Sequence, residues 1–113
     1  MPFIHTIVST PLGSQQRASL SKEYRTICSE VLGKPEEFVM TAFSDNTPIE
    51  FQDSAAPAAY IRVESWGDYA PSKPKEVTPR LTAAITAECS IPADRIYVVY
   101  VSTQHWGWNG ANF

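Results

Sequence analysis

Pro2 has the most unusual chemistry within reach of any residue in this chain. A small residue at the second position favours removal of the initiator methionine, and Pro2 then becomes the N-terminus. A free N-terminal proline is a secondary amine. A proline inside the chain is a tertiary amide with no N–H and no basic lone pair. Model α-amino groups titrate near ~8, closer to neutrality than any lysine. Burial or a neighbouring cation lowers that value further, because both disfavour the charged form. An amine tuned in this way is a general base working near its own pKa. The plain alternative is that Pro2 only follows a start codon.

The other candidate groups are sparse. Cys28 and Cys89 are the only cysteines, and His5 and His105 the only histidines. They form no CxxC pair and no close-spaced zinc set. Both cysteines fall on apolar helical faces and are expected to be buried, reduced thiols in a reducing compartment. From position alone, Lys34 reads as a surface cation at the negative end of a helix dipole. Tyr97 reads as a core or strand-face aromatic, and Trp106 and Trp108 as packing residues.

The 113 residues suit one domain over 1–113. A formal charge of −3 gives no basic footprint for nucleic acid. No run of about 18 apolar residues is present, so no membrane span is expected. The N-terminus lacks a basic n-region and an apolar h-region, so no secretory signal is expected. A cytoplasmic location, or release without a signal peptide, is the corresponding expectation.

Two strand–helix–strand units would position these groups. Residues 3–9 are β-branched and aromatic and predict a strand, ended by Pro11 and Gly13. Leu20, Tyr24, Ile27, Cys28, Val31 and Leu32 then form one apolar stripe at helical spacing. Ser14 or Ser19 could cap this helix, and Gly33 and Pro35 stop it. Residues 38–43 predict a second strand, and Ile49–Phe51 a short edge piece. Residues 60–66 alternate apolar and polar, as in a half-exposed strand. Val77, Leu81, Ala84, Ile85 and Cys89 repeat the helical stripe. Residues 96–101 predict the strongest strand. Pro79 leaves two options: first residue of this helix after a Thr78 cap, or an interior proline in a helix that begins near Ser72.

The halves, approximately 1–57 and 58–113, echo one another. Residues 31–39 align with residues 88–96; in each, a helix end meets a proline, an acid and a strand. A β-α-β crossover makes a parallel pair and is almost always right-handed. The fold class is therefore α/β (α+β). Two β-α-β repeats share a four-stranded mixed sheet with two helices on one face. The other face is left bare, and a partner chain is one source of cover for an aromatic content of 12%.

Four short motifs in order carry a resemblance: Met1-Pro2-Phe3-Ile4, Gly33-Lys34-Pro35, Ile91-Pro92-Ala93-Asp94-Arg95-Ile96-Tyr97 and Gly107-Trp108-Asn109. Together, and over the whole length, the chain resembles the macrophage migration inhibitory factor family, in a diverged form of protozoan kind. The resemblance implies the double β-α-β fold as a homotrimer. It also implies keto–enol tautomerisation of phenylpyruvate-type and dopachrome-type substrates without a cofactor. By resemblance, Pro2 is the catalytic base and Lys34 the proton-shuttling, carboxylate-binding cation. Ser65 and Trp66 meet substrate from their strand, and Tyr97 and Val99 come from the neighbouring subunit. Phe3, Phe38, Trp106, Trp108 and Phe113 are apolar walls. A small aromatic 2-oxo acid is the implied substrate, and the MHC class II invariant chain receptor an implied partner.

The departures from the family pattern are specific. Trp66 stands where the family has isoleucine, which reshapes the mouth of the site. Val99 stands in place of asparagine, which removes a donor. Ala58 and Ile61 replace the CxxC of mammalian members, which argues against thiol oxidoreductase chemistry. Two functional readings follow: a tautomerase, and a cytokine-like ligand with a vestigial pocket.

Overall fold

The computed structural model describes residues 1–113. Strand β1 (Pro2–Val8) runs into helix α1 (Ser14–Leu32), which returns to strand β2 (Met40–Ser44). Strand β3 (Ala59–Trp66), helix α2 (Ser72–Cys89) and strand β4 (Ile96–Thr103) repeat the pattern. The sheet order is β2-β1-β3-β4. β1 is parallel to β2 and β3 to β4, while the two central strands are antiparallel. This is the mixed sheet expected from two crossover units. A small hairpin, β5 (Gly107–Trp108) and β6 (Ala111–Asn112), closes the chain.

Both helices cover one face. Tyr24, Ile27 and Cys28 of α1 and Val77, Leu81 and Ile85 of α2 share one core with Ile4, Val8, Ile61 and Val63 of the sheet. Alternation along β1 and β3 supplies the sheet side of this core. One polar pair lies within it: the hydroxyls of Thr6 and Tyr24 are 2.8 Å apart. Each therefore has a partner in a region that excludes water. Burial and the loss of a hydrated phenolate push the Tyr24 pKa far up. Across the top, the helices are tied by Arg80, which pairs with Glu30 at 2.7 Å and Glu23 at 3.8 Å.

The opposite face carries no helix. Phe3, His5 and Ile7 of β1 point to it, as do Tyr60, Arg62 and Glu64 of β3 by the same alternation. Met40 is 67% exposed and Tyr97 62% exposed on this uncovered side.

Several boundaries differ from the sequence expectation. Phe38 ends a 3₁₀ turn (Glu36–Phe38), and the strand begins only at Met40. Pro35 sets this turn: its carbonyl accepts from the Phe38 N–H at 3.1 Å. Ile49–Phe51 is not a strand; Phe51 makes only an isolated bridge with Ser54. Neither Ser14 nor Ser19 caps α1. Gly13 occupies the cap, and its N–H donates to Gln16 Oε1 at 2.9 Å. Ser19 lies well inside the helix and donates to Glu88 of α2 at 2.6 Å. Cys28 is buried, but Cys89 is only half-buried.

The Pro79 alternatives resolve toward the long helix. α2 begins at Ser72 and carries Pro79 inside it. Pro79 and Lys75, whose carbonyl the ring leaves without its usual partner one turn back, are both exposed residues. The next carbonyl towards the N-terminus, that of Pro74, accepts from Tyr100 Oη at 3.4 Å.

The internal repeat extends to the helix ends. Gly33 caps α1 with φ +66°, and Ser90 caps α2 with φ +57°. Pro35 and Pro92 each follow by two residues and start a 3₁₀ turn. Only the first half has glycine at the left-handed position; in the second, the Cβ of Ser90 is strained there. Replacing Ser90 by glycine should therefore stabilise the fold by roughly 0.5–1 kcal/mol, less the added freedom of the unfolded chain. Urea unfolding of the Ser90→Gly variant checks this; a midpoint below that of the parent chain would contradict it.

Candidate active site

The first residue of β1 fixes the site. Pro2 is buried and pairs with Ser65 across the antiparallel centre of the sheet. Phe3 pairs with Met40 on the other side. The chain start is thus held in the sheet between two strands. The end of α1 is brought to the same place, because Gly33 turns the chain out of the helix just before Lys34.

Lys34 is half-buried, and its Nζ donates to the Trp66 carbonyl at 3.3 Å. The same ammonium lies 6.0 Å from the centre of the Trp66 ring, at the outer limit of a cation–π contact. Trp66 follows Ser65, the partner of Pro2. The lysine and the chain terminus therefore meet at one end of the sheet. The electrostatics agree. The amine of Met1 has a lowered pKa, first through burial and then through the Lys34 charge, with the nearby Cys28 opposing. Burial pushes the Cys28 thiol up to about 11, so it stays neutral beneath this end of the sheet.

A cavity of about 440 Å³ opens beside these groups, lined by Met1, Pro2, Phe3, Phe38, Trp106 and Trp108 among others. Phe38 and Trp108 meet edge to face, with centroids 5.5 Å apart at 77°. The terminal hairpin brings the tryptophans here. Asn109 and Gly110 both take positive φ, as a tight two-residue hairpin turn requires. The Phe113 N–H donates to the Trp106 carbonyl at 3.0 Å. Phe113 then lies against Trp66, with centroids 5.1 Å apart. A larger groove of about 530 Å³ runs between the helices, but its arginine, Arg80, is already paired with two glutamates.

The sequence-derived residues separate into three groups. Pro2, Phe3, Phe38, Trp106 and Trp108 share the cavity. Lys34, Trp66 and Phe113 form a cluster beside it, with Ser65 buried underneath and its hydroxyl donating to Tyr69 Oη at 3.4 Å. Tyr97 and Val99 are not in this site. Tyr97 pairs with Tyr60, five residues along β3 from Ser65, or roughly 17 Å at strand rise. Val99 pairs with Arg62, roughly 10 Å away by the same measure. Within one chain, neither reaches Pro2.

Glu37, Val39 and Met40 also line the cavity and were not singled out from the sequence. Met40 could have been found from register, since it is the strand partner of Phe3. Glu37 has no comparable signal.

The family model for macrophage migration inhibitory factor matches residues 1–113. The chain belongs to the macrophage migration inhibitory factor family. Among curated relatives, the factor from Xenopus laevis is 30% identical over 87 residues, which cover 75% of this chain and 76% of that protein. The homolog from Brugia malayi is 26% identical over 100% of this chain and 99% of its own. Among solved structures, the crystal structure of Leishmania major MIF2 superposes with a TM-score of 0.97. It is 71% identical and covers 100% of this chain and 97% of its own. The homologue from Prochlorococcus marinus gives a TM-score of 0.88 at 34% identity, over 98% of both chains. The double β-α-β architecture is thus the family's fold. No helix is long and apolar enough to cross a membrane.

The Lys34 charge makes a direct electrostatic prediction. Replacing Lys34 by methionine should raise the pKa of the N-terminal amine, because one of the two effects that lower it is removed and burial alone remains. The pH dependence of acylation of that amine measures the shift. An unchanged midpoint would mean that the lysine is electrostatically remote from the chain start.

Proposed function

We propose that this protein is a cofactor-free tautomerase of small aromatic 2-oxo acids, of phenylpyruvate type and by extension dopachrome type. One observation carries the reading. The N-terminal amine, a lysine cation and an aromatic-walled cavity meet at one end of the sheet, with the amine's pKa already lowered. Removal of Met1 would transfer the amine to Pro2, one residue deeper in the sheet. The neutral Pro2 nitrogen then takes a proton from the carbon beside the ketone. Lys34 holds the carboxylate, or the enolate charge as it develops. Protonated Pro2 returns the proton at a different atom, so no oxidant or cofactor enters the balance. Phe3, Phe38, Trp106 and Trp108 hold the substrate's ring, while Trp66 and Phe113 narrow the lysine's side.

The active unit in this proposal is a homotrimer. The uncovered sheet face, with Met40 and Tyr97 largely exposed, supports association with further copies of the chain. Tyr97 and Val99, remote from Pro2 within one chain, would then complete a neighbour's site. A receptor-ligand role is the second reading. The relatives are named for inhibiting macrophage migration, and the MHC class II invariant chain receptor is the partner implied by the resemblance.

The test is the absorbance change of phenylpyruvate ketonisation on protein whose Pro2 is free. Turnover should fall as pH drops through the pKa of the Pro2 amine, since protonated Pro2 has no lone pair. Lys34→Ala should raise KM about ten-fold. It should cost little stability, since a cation at a helix C-terminus contributes about 0.3–1 kcal/mol. Light scattering should give about three chain masses. A collapsed melting temperature with an unchanged KM would make Lys34 structural, and a stable 12.5 kDa species would remove Tyr97 and Val99 from the site.

A further inference from the structure

Arg95 is 8% exposed, and no carboxylate answers its charge. A buried cation needs other partners. Arg95 finds them in one loop. Its guanidinium donates to the carbonyls of Phe51 at 2.5 Å, Ala56 at 2.8 Å, Ser54 at 3.1 Å and Pro57 at 3.3 Å. Four carbonyls within seven residues are thereby drawn round one planar fork. The turn at the start of that loop carries an unusual backbone for its residues. Gln52 and Asp53 both take left-handed φ, in a turn that favours Asn-Gly. Phe51 and Ser54 close it with two backbone bonds, at 3.0 and 3.1 Å.

The clamp has an outward consequence. The Arg95 guanidinium carbon lies 5.3 Å from the centre of the Phe51 ring. The same ring also packs against Tyr97, 5.0 Å away and tilted by 58°. Phe51 is thus fixed at its backbone by Arg95, sits against the guanidinium, and touches Tyr97. Tyr97 itself is 62% exposed on the uncovered sheet face. An exposed tyrosine on a strand would ordinarily sample several rotamers; here one side of its ring is backed.

We propose that Arg95 and Phe51 are positioning residues for Tyr97. By clamping the loop, Arg95 holds Phe51 against the tyrosine and so sets the direction in which the phenol reaches a neighbouring subunit's substrate. The inference rests on the reading of Tyr97 as a contributor to that neighbouring site. Arg95 and Phe51 touch neither substrate nor proton. Their effect passes through one ring and belongs in substrate binding rather than in the chemical step.

The test is steady-state kinetics with phenylpyruvate on processed trimers, in a double-mutant cycle. Phe51→Leu keeps the carbonyl that Arg95 holds and removes the ring. It should raise KM about five-fold with kcat changed less than about two-fold. Phe51→Tyr retains the ring and should keep the parent KM. Arg95→Lys should raise KM in the same direction, because an ammonium cannot match a fork with four carbonyls. Adding Phe51→Leu to Tyr97→Ala should change KM no further, a non-additivity that a loop of merely structural importance would not give. If the leucine variant does not assemble, Phe51→Met carries the same expectations. An unchanged KM for Phe51→Leu, beside a raised KM for Tyr97→Ala, overturns this inference alone. Equal effects of Phe51→Leu in both backgrounds overturn it too. An unchanged KM for Tyr97→Ala removes the intersubunit role of Tyr97, and this inference falls with it.

Discussion

The pairing of Pro2 with Ser65 places the first strand residue inside the sheet instead of at a fraying end. Chain termini are ordinarily the least ordered part of a domain. Here β1 lies between β2 and β3, so a parallel partner and an antiparallel partner both fix the chain start. The register then decides what surrounds it. Antiparallel pairing brings Ser65 and Trp66 alongside, and parallel pairing brings Met40. The crossover through α1 delivers Lys34 to the same end. A slip of one residue between β1 and β3 would move Pro2 to the other face and separate it from the lysine's anchor on Trp66.

Much of this arrangement was legible in the sequence, because the periodicities are clean. The stripes of α1 and α2 and the alternation of residues 60–66 each point to one element type. The matched helix-stop segments showed the repeat, and the repeat gave two crossover units in one mixed sheet; the strand order and the antiparallel central pair are seen only in the structure. Local chemistry was harder to read. Phe38 is apolar and adjoins a β-branched run, yet Pro35 imposes a turn that carries it out of the strand. Serines flank the start of α1, yet the cap falls on Gly13 because Gln16 supplies the acceptor. Pro79 could not be placed from pattern, since its cost depends on whether the orphaned carbonyl faces water. The site divided along a similar line. Pro2, Phe3, Phe38, Trp106 and Trp108 come together within one chain. Tyr97 and Val99 do not, because β4 reaches the Pro2 end of the sheet only at Ser102 and Thr103, the partners of Ser65 and Trp66, while these two lie nearer its start.

That division bears on how the site works. One chain supplies an amine, a cation and aromatic walls. In the tautomerase reading, the uncovered sheet face and the remote Tyr97 answer one another: association covers the first and puts the second to use. Trp66 adds a further feature. Its carbonyl is the lysine's acceptor and its ring backs Phe113, while its Nε1 is buried and has no hydrogen-bond partner. An indole N–H without an acceptor is costly.

The central claim is that the reacting base is the free amine of Pro2. Two preparations separated by mass spectrometry, one retaining Met1 and one beginning at Pro2, test it when assayed side by side with phenylpyruvate. Met1 lines the cavity and, when retained, makes the Pro2 nitrogen an amide. The account predicts that the methionine-bearing form is nearly inactive, and that the processed form turns over with a base titrating below ~8. Comparable turnover by the two forms would contradict it.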